Sequence, residues 1–220
     1  MKSYTKAYIP YKGYFSSPFS RWQGSMQYDN AVELGANTAR RWFLEKKIDP
    51  TILDYMYFGS TVAQNHWFCS HHWAAAMLTD DKKFLKALFI NQACATSTTA
   101  LNLAAKDLEL GVYEVGFALM ADRCSNGPHT TWGDPLGPGG QPEREDWNMD
   151  NFGGTPRHRA AMVQTAENVA AEFGITKEEC DAVVLRRYEQ YQEGIANGRA
   201  FQKRYMFAPE VTVNKKKKKL

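Results

Sequence analysis

The 220-residue sequence predicts an α/β fold of helices layered on a sheet, and three observations carry that expectation. Short apolar runs suited to buried strands alternate with longer stretches of helical periodicity. One such run, Leu88, Phe89 and Ile90, passes through a short break into an Ala/Leu-rich segment with Ala100, Leu101, Leu103, Ala104 and Leu108 at helical spacing. The periodicity then stops across residues 124–159, where glycine and proline cluster.

In chain order, residues 6–11 read as a first strand, and residues 13–24, rich in aromatics, Ser and Pro, as a loop. Residues 30–46 form an amphipathic helix presenting Val32, Leu34, Ala36, Ala39, Trp42 and Phe43, with Asp29 as its expected cap. Residues 54–58 follow as a strand, 70–78 as a helix, 88–91 as a strand, 96–110 as a helix and 115–120 as a strand. Residues 124–159 read as a long structureless loop, a feature that usually serves function; Trp132, Trp147 and Phe152 give it apolar anchors. Residues 168–173 and 177–191 read as two helices separated by Gly174, with Thr176 and Glu179 spaced as a capping box.

Composition bounds the function class. The chain is 44% hydrophobic and 23% charged, which is globular, and it lacks the roughly 18–20 consecutive apolar residues of a bilayer span. The first 13 residues lack the apolar core of a signal peptide, and Cys69, Cys94, Cys124 and Cys180 are too irregularly spaced for a disulfide framework or zinc ribbon. The expected location is therefore cytoplasmic, with no membrane contact. Five of the 27 basic residues are Lys215 to Lys219; the remaining 22 nearly balance 24 acidic ones, so the charge supplies no case for a nucleic-acid partner. The lysine run reads as a solvated tail.

Cys94 is the candidate nucleophile. It falls where an apolar strand gives way to a helix, and unpaired N–H groups at a helix N-terminus favour a thiolate. Ala93, Ala95, Thr96 and Ser97 leave room for an acyl group. A free cysteine is more often an inert core residue, and the local pattern by itself leaves both readings open.

The segment NQACATSTTALNLAA, residues 91–105, resembles the nucleophile block of the thiolase family, the acetyl-CoA acetyltransferases and 3-ketoacyl-CoA thiolases. A second block, MVQTAENVAAEFGITKEECDAVVLRRY at 162–188, is similar to the thiolase loop-domain signature, which ketoacyl synthases lack. AVELGA at 31–36, GSTVAQN at 59–65 and residues 207–213, which resemble the strand leaving the loop domain, extend the likeness over most of the chain.

The resemblance implies a thiolase-like layered α-β-α fold of which this chain is the N-terminal half, with an inserted loop domain. Its expected parts are a core at 1–122 carrying the nucleophile helix, a loop domain at 123–206 and a return strand with the lysine-rich end at 207–220. It implies acyl transfer through an acyl-Cys94 intermediate, with Asn91 and Met162 contacting substrate and Arg199, Lys203 and Arg204 approaching the phosphates of coenzyme A. Coenzyme A thioesters are then substrates, and neither a cofactor nor a metal is required. The family's base, a GHP-type histidine, and its second cysteine, in a CGGG-type motif, have no counterpart here, nor does its NEAF-type segment. His66, His71, His72, His129 and His158 lie in unrelated segments. The expectation is an isolated chain with little activity, acting with a complementary C-terminal half or as a homo-oligomer, since thiolases dimerise through the strand entering the nucleophile. A non-catalytic scaffold that binds a partner is the alternative.

Two departures from the family pattern stand out. Ala161-Met162 occupies the position where thiolases often carry His-Met, and ALMADRCS at 118–125 replaces a GGMESMS-type segment. They imply an acyl group other than plain acetoacetyl, either bulkier or carrying an extra polar group. His66, Cys69, His71 and His72 offer metal-ligand chemistry at close spacing, but Trp67, Phe68, Trp73 and the alanines after it favour packing.

Overall fold

The computed structural model describes residues 3–79, 85–125, 127–137, 139–157, 159–213 and 216–219. The chain divides into two compact units, one of Met1–Gly127 with Met206–Leu220 and the other of Pro128–Tyr205.

The first unit is built on three parallel strands, β1 (Tyr55–Gly59), β2 (Lys86–Ile90) and β3 (Gly116–Met120), in the order β2-β1-β3. Strand periodicity sends Met56 and Phe58 to one face and Tyr57 to the other. On the first face these residues meet α1 (Ala31–Lys46) and α2 (Ser70–Leu78) through Val32, Ala36, Ala39, Phe43, Ala74 and Leu78. On the second face Tyr57 and Ile90 pack on Ala100 and Ala104 of α3 (Thr96–Glu109). The crossover rule explains the split: α2 carries the chain outward from β1 to β2, whereas α3 returns it past β1 to β3, and a right-handed crossover in the reversed direction requires the opposite face. Each fully buried large side chain in these layers contributes about 1.5–3 kcal/mol.

Asn30, not Asp29, caps α1; its side chain accepts from the N–H groups of Val32 and Glu33 at 2.9 and 3.4 Å. Asp29 instead accepts from the Thr212 amide and hydroxyl at 2.9 and 2.7 Å, holding β6 (Glu210–Val213) against the start of α1. β6 pairs antiparallel with β7 (Lys216–Lys219). The lysine run expected as a tail is thus a strand, because ladder hydrogen bonds use backbone groups and make no demand for apolar side chains. Lys215 lies outside the described residues.

Residues 6–11 are not a strand. The amides of Thr5, Lys6 and Ala7 donate to the Glu109 carboxylate at the end of α3, and the Tyr4 hydroxyl donates to Asn102. Donors that a sheet ladder would use are committed to a helix, and the segment becomes a strap along α3.

In the second unit, residues expected to be structureless form a hairpin of β4 (His129–Trp132) and β5 (Glu143–Asp146), followed by α4 (Met149–Phe152). Its register is supported by polar pairs: His129 Nδ1 lies 3.5 Å from Asp146, and Trp132 Nε1 donates to Glu145 at 3.0 Å. Period-two apolar patterning does not detect strands of this kind. α5 (Met162–Phe173) begins six residues before its expected start and ends at Gly174, whose φ of 65° suits a residue without Cβ. α6 (Lys177–Arg199) opens on the Thr176/Glu179 capping box and loses helical geometry at Ala196, Asn197 and Gly198. Among the described residues no helix is long and apolar enough to cross a membrane.

Candidate active site

The three strands of the first unit end together at Gly59, Ile90 and Met120, and the segments that follow them form one cluster. In open parallel sheets the carboxyl ends of the strands are where ligands bind, beside the point at which the crossovers change face. After β2 the chain bends through Asn91 and Gln92 into a single 3-10 turn, Ala93–Ala95, which runs directly into α3. Ala93 has a φ of 45°, a left-handed geometry uncommon for a residue with a side chain. Cys94 stands at the apex of this turn as an exposed, free thiol. Among the described residues its N–H has no hydrogen-bond partner.

The turn is fixed from within. Thr96, 4% exposed, donates its hydroxyl to the Ala93 carbonyl at 2.7 Å and accepts from the Gln92 N–H at 2.8 Å. The Asn91 side chain accepts from the Ala93 N–H at 3.2 Å, and Thr99 donates to the Gln92 side chain. Asn91, expected to contact substrate, is exposed beside Cys94 and also shapes the turn.

Neighbouring segments set where the turn sits. A Cβ on Gly59 would lie 2.7 Å from Thr96 Cγ2 and 3.2 Å from Met120 Cγ, so glycine admits the close approach of α3 to β1. The Tyr57 hydroxyl donates to Asp107 at 2.5 Å, tying the sheet to α3; burial first, then this carboxylate, pushes the phenol well above its ordinary range. Beyond β3, Asp122 accepts from the Ser60 hydroxyl and the amides of Thr61 and Val62 at 2.9–3.0 Å. This carboxylate, a departure in sequence, organises the loop that leaves β1.

The Thiolase, N-terminal domain family model matches residues 15–219, nearly the whole chain. The chain belongs to the thiolase family. An acetyl-CoA acetyltransferase of Yarrowia lipolytica is 25% identical over 185 residues, covering 83% of this chain and 45% of that protein. A beta-ketothiolase of Cupriavidus necator is also 25% identical, covering 80% of this chain and 44% of its own length. The fold matches the crystal structure of Bacillus anthracis acetyl-CoA acetyltransferase with a TM-score of 0.80 at 22% identity, over 93% of this chain and 51% of that one. Human mitochondrial 3-ketoacyl-CoA thiolase in complex with CoA matches with a TM-score of 0.73 at 18% identity, over 93% and 51%. The chain thus spans about half the length of the curated relatives it matches, and its α/β layering is the thiolase fold.

The other expected site residues lie in the second unit. Met162 is the exposed first residue of α5, preceded by Ala161, which offers no side-chain cap. Arg199 ends α6 just after its irregular turn, and Lys203 and Arg204 occupy the 3-10 turn Gln202–Arg204. Lys203 Nζ is 4.0 Å from the Cβ position of Gly198, so that ammonium group reaches the irregular turn of α6. All three are exposed, and none forms an ion pair among the described residues.

The histidine-rich segment is given over to ring packing. His66 stacks on Trp73 with centroids 3.8 Å apart, and His71 packs on His72 and Phe89. Burial, and secondarily the charge of His72, hold the His71 imidazole below its ordinary value. Among the described residues no group of three or more His, Cys, Asp or Glu is placed to hold a metal ion. His158 lies outside the described residues. Sequence reasoning missed Thr96 and Asp122 as site-shaping residues; the available signal was a threonine on the core face of α3, one turn before Ala100.

Proposed function

We propose that this chain is the acyl-accepting half of a thiolase-type acyltransferase, acting on coenzyme A thioesters through Cys94. One observation carries the reading: in a chain of the thiolase family, Cys94 is an exposed thiol at the apex of a strand-to-helix turn, with its own N–H unpaired among the described residues.

Cys94 Sγ attacks the thioester carbonyl, the new C–S bond forms, and the bond to coenzyme A breaks; coenzyme A leaves as its thiol, taking up the proton released by Cys94. The Cys94 N–H is directed to the oxyanion of the tetrahedral intermediate. The acyl group then passes to an acyl-CoA carbanion, giving a 3-ketoacyl-CoA, or the sequence runs backwards as thiolysis. Among the described residues no acid or base is hydrogen-bonded to Cys94, so the proton-transfer groups come from a complementary thiolase C-terminal half or from another copy. Arg199, Lys203 and Arg204 supply cations for the phosphates of coenzyme A. Met162, with Ala161 in place of the family's frequent histidine, contacts an acyl group other than plain acetoacetyl.

The test is intact mass after brief incubation with acetyl-CoA and a panel of longer or polar acyl-CoAs, for the chain alone and with a thiolase C-terminal half. Wild type should gain one acyl group and Cys94→Ala none. Equal labelling of both proteins, or labelling of neither under any condition, contradicts the assignment.

A further inference from the structure

We infer that Thr96 is the positioning residue of the nucleophile turn, holding Ala93 in its left-handed conformation and thereby fixing the direction of Cys94 Sγ and N–H. The inference rests on Cys94 being the reactive thiol, and it names the group that makes that thiol usable.

A threonine hydroxyl has one proton to donate and lone pairs to accept. Here both capacities are spent on the backbone just before Cys94: the hydroxyl donates to the Ala93 carbonyl at 2.7 Å and accepts from the Gln92 N–H at 2.8 Å. The two bonds bracket the peptide between Gln92 and Ala93. Neither bonded group belongs to that peptide, but the two flank it: a change in the Ala93 φ from 45° that is not compensated at Gln92 swings the Ala93 carbonyl relative to the Gln92 N–H, and one hydroxyl can then no longer hold both. A left-handed non-glycine residue persists only where its surroundings over-determine it, and such residues gather at functional sites. Thr96 supplies that over-determination from a buried position, so water does not compete for its hydroxyl. Its methyl group is equally constrained: Cγ2 faces Gly59, where a Cβ would come within 2.7 Å. The residue thus transmits the position of β1 to the turn carrying Cys94. Asn91 and Gln92 lend their side chains to the same turn from exposed positions, and Thr96 is the buried member of the set.

The experiment measures the rate of Cys94 alkylation by iodoacetamide, read by peptide mass on the full chain, in wild type, Thr96→Val and Thr96→Ser. Exposed Cys69, Cys124 and Cys180 serve as internal references. Thr96→Val keeps the volume and removes both bonds; Cys94 should alkylate on the order of tenfold more slowly while the three reference cysteines keep their rates, a pattern that global loosening does not produce. Thr96→Ser keeps the hydroxyl and should stay within about twofold of wild type. Unchanged Cys94 reactivity in Thr96→Val overturns the inference, as does a Thr96→Ser protein as slow as Thr96→Val. Hydrogen exchange on wild type gives a reading independent of how the variants fold: the Gln92 amide should be protected, and its prompt exchange overturns the inference. A wild type that alkylates at Cys94 and never accepts an acyl group defeats the acyltransferase reading while leaving the role of Thr96 intact.

Discussion

At the scale of single residues, the candidate site depends on one small side chain as much as on the reactive one. Gly59 ends β1 with Thr96 on one side and Met120 on the other, at Cβ distances of 2.7 and 3.2 Å. Gly59→Ala should destabilise the chain by about 1–3 kcal/mol through overpacking, measured as a lower urea midpoint, because the nearest crowded atom belongs to the buried Thr96 side chain, whereas the exposed Met120 side chain can give way. An unchanged midpoint would mean that α3 can move away from β1 without cost. Cys94 was legible in sequence because an apolar run, a break and an Ala/Leu helix define the junction where it sits. Thr96 and Asp122 were not, because their importance lies in which backbone groups their oxygens reach, and spacing says nothing of that. The cap of α1 shows the same limit: Asp29 and Asn30 are both good capping residues, and only the distant Thr212 explains why Asp29 is used elsewhere.

At the scale of elements, α3 is fastened along its length. Its N-terminal end carries the Thr96 clamp, Asp107 receives the Tyr57 hydroxyl, and Glu109 receives the strap of Thr5, Lys6 and Ala7. The Thr5 hydroxyl and then the Lys6 amide hold the Glu109 carboxyl down at about 2, from an ordinary 4.5. A depressed carboxylate contributes stability that is fully present above its unfolded value and lost as pH falls through its folded one. The strap should therefore keep its amide protection at about pH 4 and lose it as pH approaches about 2. Glu109→Gln should lose protection across the whole range. Hydrogen exchange at Thr5, Lys6 and Ala7, corrected for intrinsic rates, checks both; wild-type protection already lost at about pH 4 contradicts the assignment. This interaction also explains why the strand expected at residues 6–11 fails to form: alternation signals extended backbone, yet the partner that captures its amides is a side chain about a hundred residues away. Elements with their own internal signal, such as α2, β1 and the capped start of α6, were legible almost to the residue.

At the scale of the whole chain, burial is concentrated in one unit. Met56, Tyr57, Phe58 and Leu78 are fully enclosed in the first unit, whereas none of the described residues 128–205 is buried. In the second unit Met162, Val163, Val184, Leu185, Tyr188 and Tyr191 are all exposed. The composition of α5 and α6 announced two helices, since the capping box and Gly174 are local signals; what covers their apolar groups is a long-range matter on which periodicity is silent. Local opening follows the density of buried apolar contact, so the two units should differ sharply in resistance to opening. Limited trypsin digestion of the chain alone should cut first within 128–205, with Arg186 and Arg187 of α6 among the earliest sites, and leave α1, α3 and the parallel strands as a lasting core. Addition of a complementary thiolase C-terminal half should slow those cuts if the proposed assembly forms, because the bound state withholds the open helices from the protease. First cuts inside α1 or α3 would show that stability does not follow burial here, and cuts in α6 at the same rate with and without the added half would argue against assembly through this unit.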